Sequence, residues 1–160
     1  MAVASSIARY MAQQGVSYEV MMHPHSRSSM ETAELAGVPG ARLAKSVILE
    51  DDDGFVMAVL PSTHHVRLGR LSKELNRSLR LATEGELPAL FGDCELGAIP
   101  PLGLAYGMRT VVDDSFAEQP DIYFEAGDHE RLIHIRCEAF MTLMEHANHA
   151  HFGERMHRHH

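Results

Sequence analysis

The chain has 160 residues, 45% of them hydrophobic, and a net charge of -8, which suits one domain with a substantial core and argues against a general nucleic-acid coat protein, though not against a local basic patch. No apolar run approaches the length of a membrane span, and the N-terminal stretch lacks the basic region and apolar core of a signal peptide. The only two cysteines, Cys94 and Cys137, stand far apart, which fits reduced thiols in a cytoplasm better than a disulfide framework.

Val3, Ile7, Tyr10 and Met11 lie at helical spacing ahead of Gly15 and predict a short amphipathic helix. Ser17 to Met22 predicts a strand, followed by a polar loop, His23-Pro24-His25-Ser26-Arg27, that proline keeps non-helical. Ser28 with Glu31 three residues on predicts a capped helix through Ala36, stopped by Gly37 and Pro39. Leu43–Glu50 and Phe55–Leu60 predict two strands joined at Asp51-Asp52-Asp53-Gly54. A helix is expected over Leu68–Asn76, running on towards Arg80, with a short strand at Leu81–Thr83 and a helix over Glu84–Phe91. Gly97 to Gly103 reads as a stiff loop. Thr110–Asp113, Ile122–Glu125 and Leu132–Arg136 predict strands, and Glu138–His146 a last helix with Phe140, Met141, Leu143 and Met144 inward. Strands and helices mix without strict alternation, so the fold class is α+β with a mixed, curved sheet.

Three features carry candidate chemistry. Lys45 begins an apolar strand, and of 14 basic residues only Lys45 and Lys73 are lysines. Such a lysine snorkels to water, pairs with an anion, or faces a pocket. In the loop Gly97-Ala98-Ile99-Pro100-Pro101, prolines fix the backbone and glycine permits close approach, so it serves either as a tight turn or as a presenter of backbone dipoles to a ligand. Gly127-Asp128-His129 forms a turn between two strands, where the histidine either holds a substrate or decorates a hairpin. A Gly-x-Ser-x-Gly elbow, a Walker loop and a dinucleotide fingerprint are all absent from the sequence.

The order of these features is specific as a set. It runs from the His23-Pro24 loop and capped helix through Ala44-Lys45-Ser46, Val59-Leu60-Pro61, Asp93-Cys94-Glu95, Gly97-Ala98-Ile99-Pro100-Pro101 and Val112-Asp113 to Ala126-Gly127-Asp128-His129. In this the chain resembles the YbaK/prolyl-tRNA synthetase-associated domain family over roughly residues 3 to 146. The resemblance implies a barrel-like sheet with helices packed round it. It implies an aminoacyl-tRNA deacylase that acts in trans, hydrolysing the ester of mischarged tRNA without metal or cofactor. The family's essential lysine falls on Lys45 and its glycine-proline loop on Gly97 and Pro100. Gly127, Ala98, Ile99 and His129 become the candidate substrate-binding residues. The implied partners are a mischarged aminoacyl-tRNA and, as a second candidate, an aminoacyl-tRNA synthetase, with no membrane and no DNA. An activated ester needs a placed water and a stabilised oxyanion, not a strong covalent nucleophile.

Independently of that resemblance, Arg70, Lys73, Arg77 and Arg80 share one face if their helix persists, with Arg67 extending the row. The row is either a solvated face or a contact for the tRNA backbone. Half of the 12 histidines, from His146 onward, lie near the C-terminus. Residues 147–160 are expected to be a mobile tail, with opportunistic metal binding as the alternative. His64-His65 is expected in a loop near the pocket. The rival functional readings are a non-catalytic tRNA-binding or adaptor module of the same fold, and a metal-binding protein acting through the histidine-rich tail.

Overall fold

The computed structural model describes residues 3–95 and 97–156. Helix α1 (Ser5–Gln13) buries Ile7 and Met11 on one stripe and ends before Gly15, whose φ of 67° takes the left-handed turn. Strand β1 (Glu19–Met22) leads through the His-Pro loop to α2 (Ser29–Ala36). Ser28 caps α2 by accepting from the Glu31 N–H, and Gly37 closes it in the left-handed conformation, as the capping pattern predicts. Strands β2 (Leu43–Asp51) and β3 (Gly54–Pro61) form the expected hairpin. At its turn Asp51 accepts from the Asp53 N–H at 2.8 Å and is clasped by Arg109 at 2.8 and 3.1 Å.

After β4 (His64–Val66) comes α3 (Leu68–Leu75), then β5 (Arg80–Leu81) and α4 (Leu87–Leu90). Strands β6 (Arg109–Asp113), β7 (Asp121–Glu125) and β8 (Arg131–Arg136) precede α5 (Cys137–Leu143), β9 (Asn148–Ala150) and β10 (Gly153–Arg155). The main sheet has the order β1-β8-β7-β2-β3-β6-β9, with β5 also on β2, and β10 pairs with β4 in a separate two-stranded sheet. β2 runs parallel to β7, and β3 parallel to β6, while the hairpin pairs are antiparallel. The sheet is therefore mixed and the class α+β, as expected.

Strand alternation sends β2 residues to both faces. Ala44 and Ile48 join a core with Ile7, Met11, Phe124 and Phe140, which brings α1 and α5 onto one face. Leu43 packs with Ala33, Val38 and Leu132 under α2, and Leu49 with Leu60, Leu71 and Phe152 under α3. With both faces covered, β2 and β3 are near-continuously apolar.

Three expectations need correction. The helix from Leu68 does not run on to Arg80: it ends at Leu75, and Asn76 turns the chain left-handed at φ 54°. Asparagine is one of the few residues that tolerates that conformation, and it ends the helix as glycine would. His64-His65 is strand β4, not a loop. The segment after residue 146 is not a free tail through residue 156: β9 pairs with β6, β10 with β4, and Phe152 is fully buried. Buried Asp113 accepts from the Phe152 and Gly153 N–H groups at 2.9 and 2.8 Å. The tail histidines His157, His159 and His160 lie outside the described residues.

Phe152→Ala should therefore destabilise the domain by about 3 to 5 kcal/mol, the range for emptying a fully buried aromatic site. Urea unfolding measures this. A change of under 1 kcal/mol would mean that the segment is not part of the core.

Candidate active site

Lys45 extends from the third position of β2 and is half-buried. Burial pushes its ammonium below the ordinary lysine value, because a low-dielectric setting disfavours the charged form. Among the described residues no carboxylate lies within ion-pairing distance of it. It lines a cavity of about 170 Å³ together with Ser29, Ser46, Gly97, Ile99 and Glu125. That is close to the roughly 150 Å³ that holds benzene in an engineered protein cavity, a fit for a small side chain rather than a nucleotide.

The Gly97–Pro100 loop closes one side. Ser46 Oγ donates to the Ile99 carbonyl at 3.0 Å, tying the loop to β2 one residue beyond Lys45. Gly97 has φ 83°, and a Cβ there would come within 3.0 Å of the His129 ring and 3.4 Å of the Arg27 carbonyl. Only glycine suits that backbone and that approach. Ala98 and Pro100 are buried beside the cavity's lining rather than in it.

The turn from β7 to β8 places His129. Its φ of 61° is unusual for a non-glycine residue. The turn is fixed by Asp128, a buried carboxylate that accepts from the Glu130 and Arg131 N–H groups at 3.0 Å each and pairs with the Arg131 guanidinium. Burial works against its ionisation, but these donors outweigh it and hold Asp128 below its ordinary value. His129 is buried against Gly97, and its ring centroid is 5.4 Å from that of His25. Gly127, at φ 119°, faces Ala4 and Cys94 instead, so its place is in the packing of the turn.

Sequence reasoning missed Glu125 and its partners. Parallel pairing sets Leu43 against Tyr123 and Ala44 against Phe124. The next residue on each strand, Lys45 on β2 and Glu125 on β7, lines the same cavity. Glu125 is 5% exposed, and burial raises its pKa to about 7, opposed by a hydrogen bond from Thr32. Its Oε1 accepts from Thr32 Oγ1 at 2.9 Å and lies 3.2 Å from His23 Nε2. Ser26 Oγ in turn contacts Thr32 Oγ1. The His23 Nδ1–H donates to the Pro24 carbonyl at 2.7 Å, since a carbonyl only accepts. Nε2 is buried and makes no hydrogen bond among the described residues, although it lies 3.2 Å from Oε1. A carboxylate ending the apolar strand Ile122–Glu125 was the available signal, of the same kind as Lys45.

The basic row is broken up. Arg70 pairs with Glu74 at 3.5 Å on α3, and exposed Lys73 makes no ion pair among the described residues. Beyond the helix, Arg77 pairs with Asp53, and Arg80 with Glu50 at 3.1 Å. Arg67 meets Glu154 at 3.4 Å. Among the described residues no three His, Cys, Asp or Glu side chains converge as metal ligands. No helix there is long and apolar enough to cross a membrane.

A family model described as an aminoacyl-tRNA editing domain matches residues 23–143. Proline--tRNA ligase of Xanthomonas oryzae pv. oryzae (strain MAFF 311018) is 33% identical over 99 residues, which is 61% of this chain and 17% of that protein. The Leuconostoc citreum (strain KM20) enzyme of the same name is 30% identical over 126 residues, 76% of this chain and 22% of the relative. The chain thus spans about a fifth or less of these relatives' length. A solved structure described as a candidate trans-editing enzyme for prolyl tRNA synthetase superposes with a TM-score of 0.83 at 20% identity, covering 96% of this chain and 98% of that one. Hypothetical protein APE2540 superposes with a TM-score of 0.82 at 21% identity, covering 94% and 100%.

The raised pKa of Glu125 has a consequence for stability. Between the ordinary glutamate value and about 7 the folded state keeps a proton that the unfolded chain has released. The stabilisation is therefore complete below the ordinary value and is lost as pH rises through 7. Glu125→Gln should flatten the fall in stability across that window, as read from urea midpoints at pH 4.5 to 8. Parallel profiles for the two proteins would show that Glu125 does not titrate there.

Proposed function

Since the chain belongs to the aminoacyl-tRNA editing domain family, we propose that it is an aminoacyl-tRNA deacylase acting in trans on mischarged tRNA. The observation that carries this reading is the convergence of Lys45, the Gly97–Ile99 loop and Glu125 on one small cavity. The similarity in fold to a candidate trans-editing enzyme favours action in trans.

In the reaction, water adds to the ester carbonyl carbon, the bond to the terminal ribose oxygen breaks, and that oxygen leaves with a proton. Lys45 holds the terminal phosphate or the ester region, and its charge offsets the negative charge that develops on the carbonyl oxygen. The amides of the Gly97–Pro100 loop add fixed dipoles there. Placement of the water and the ester supplies much of the acceleration. A cavity of about 170 Å³ admits small aminoacyl groups and turns away large ones, which is selection by size. His129, set against Gly97, orients the bound aminoacyl end. The substrate is a mischarged aminoacyl-tRNA, an aminoacyl-tRNA synthetase is a candidate partner, and the setting is cytoplasmic.

Lys45→Ala should lower deacylation by about 10²-fold or more while the fold persists. Lys45→Arg should also be poor, because a planar guanidinium does not replace a compact ammonium. A panel of mischarged tRNAs with circular dichroism checks both. Near-normal turnover by folded Lys45→Ala on its best substrate would leave a tRNA-binding module as the reading.

The tRNA backbone is assigned chiefly to Lys73, which makes no ion pair among the described residues, and to Arg70, whose 3.5 Å contact with Glu74 is looser than the pairs Arg77 and Arg80 make with Asp53 and Glu50. Each phosphate contact removed should flatten the logarithmic salt dependence of binding by about 0.7 to 0.9. Arg70→Glu with Lys73→Glu should therefore raise the Michaelis constant and leave single-turnover hydrolysis at saturating tRNA nearly intact. Arg77→Glu with Arg80→Glu should do less to binding. Kinetics across a salt series distinguish the pairs, and an unchanged slope for the first pair would place tRNA elsewhere.

A further inference from the structure

Glu125 is better prepared to receive a ligand than to support the fold. The residue lines the cavity and is 5% exposed. Oε1 accepts from Thr32 at 2.9 Å and lies 3.2 Å from His23 Nε2. Oε2 is buried and accepts no hydrogen bond among the described residues. A buried acceptor left in that state is costly, and a donor arriving from the cavity removes the cost.

The neighbouring charges indicate which donor. Lys45, on the adjacent strand, lines the same cavity as Glu125 and has no carboxylate within ion-pairing distance among the described residues. A second cation would be repelled from a cavity holding Lys45 alone. With Glu125 present, the cavity offers one cation and, in Oε2, one acceptor that has no hydrogen bond among the described residues. An aminoacyl ester is complementary to both. Its carbonyl oxygen gains negative charge in the reaction, and its α-ammonium, one carbon away, carries positive charge and three N–H donors.

We propose that the Glu125 carboxylate is the subsite for the substrate's α-ammonium group, with Oε2 accepting its hydrogen bond, so that the cavity selects acyl groups bearing a free, charged α-amine. This rests on the deacylase reading and adds a selection by charge to the selection by size. Thr32 and His23 are positioning residues. By occupying Oε1 they fix the carboxyl plane and leave Oε2 for the ligand.

The probes are two amides of 3′-amino-3′-deoxyadenosine, one alanyl and one lactyl. They are close to isosteric and resist hydrolysis, but only the first carries an α-ammonium. Calorimetry at neutral pH should show the wild-type protein binding the alanyl amide about tenfold or more tighter than the lactyl amide, as expected for a charge-assisted hydrogen bond. Glu125→Gln, checked for folding, should bring the ratio close to one, mainly through weaker alanyl binding. The wild-type ratio stands without any variant, so a variant that fails to fold leaves the test in place. A wild-type ratio near one, no binding of either amide at millimolar concentration, or an undiminished ratio in folded Glu125→Gln would each overturn the proposal. Deacylation of mischarged tRNA is measured alongside. Hydrolysis without amide discrimination refutes the ammonium subsite alone. Discrimination without hydrolysis supports the subsite and refutes the deacylase reading.

Discussion

The site depends on the pairing of β2 with β7. β2 is hydrogen-bonded to β3 on one side and to β7 and β5 elsewhere along its length, and its pairing with β7 is parallel and short, with only Leu43–Tyr123 and Ala44–Phe124 in register. A slip of one residue would send alternate side chains to the opposite face. Lys45 would then leave the cavity, and Ala44 and Ile48 would leave the core. The apolar packing on both faces of β2 fixes this register. The energy that sets the geometry of the cavity is therefore largely hydrophobic, although the groups being set are charged.

Burial also explains the electrostatics. The same desolvation lowers the Lys45 pKa and raises that of Glu125. Two oppositely charged groups on adjacent strands would ordinarily neutralise each other, yet no ion pair between them is found among the described residues. Glu125 is turned instead towards Thr32 and His23, which come from the loop and helix that precede β2. The apolar strands supply the sheet positions. The polar segment between β1 and α2 determines which way the carboxylate faces.

The sequence made much of this legible, and the exceptions have physical causes. Helix α2 was readable because its cap chemistry is local, from Ser28, Glu31 and Gly37. The β2–β3 hairpin was readable because its turn and its apolar runs are contiguous. Lys45, Gly97 and His129 were singled out separately, and the fold brings Gly97 beside both the cavity and the His129 ring. Glu125 was missed although a carboxylate ends an apolar strand there, because the cavity it shares with Lys45, eighty positions earlier in the chain, forms only in the fold. The basic row was misread because helical periodicity continued in the residues after Asn76 had ended the helix. Strands β9 and β10 were missed because strands of only three residues, Asn148–Ala150 and Gly153–Arg155, carry little β signal, and their place depends on Asp113 binding the backbone at Phe152.

The β7–β8 turn shows how the fold maintains an unfavourable conformation where it is useful. His129 adopts positive φ, at a cost of order 1 kcal/mol for a residue with a side chain. Asp128 offsets that cost with a buried carboxylate bound to two backbone donors and a guanidinium. Gly127 allows the chain to pass close to Ala4 and Cys94. Gly97, across from the turn, leaves room for the imidazole. Each of the four residues makes sense only with the others: a side chain at Gly97 would displace the ring, and loss of the Asp128 carboxylate would release the turn that aims it. Glu125 lies at the end of the strand entering this same turn, so whatever fixes His129 also fixes the C-terminal end of β7. One structural element thus positions both the histidine beside the loop and a glutamate in the lining of the cavity that Lys45 shares.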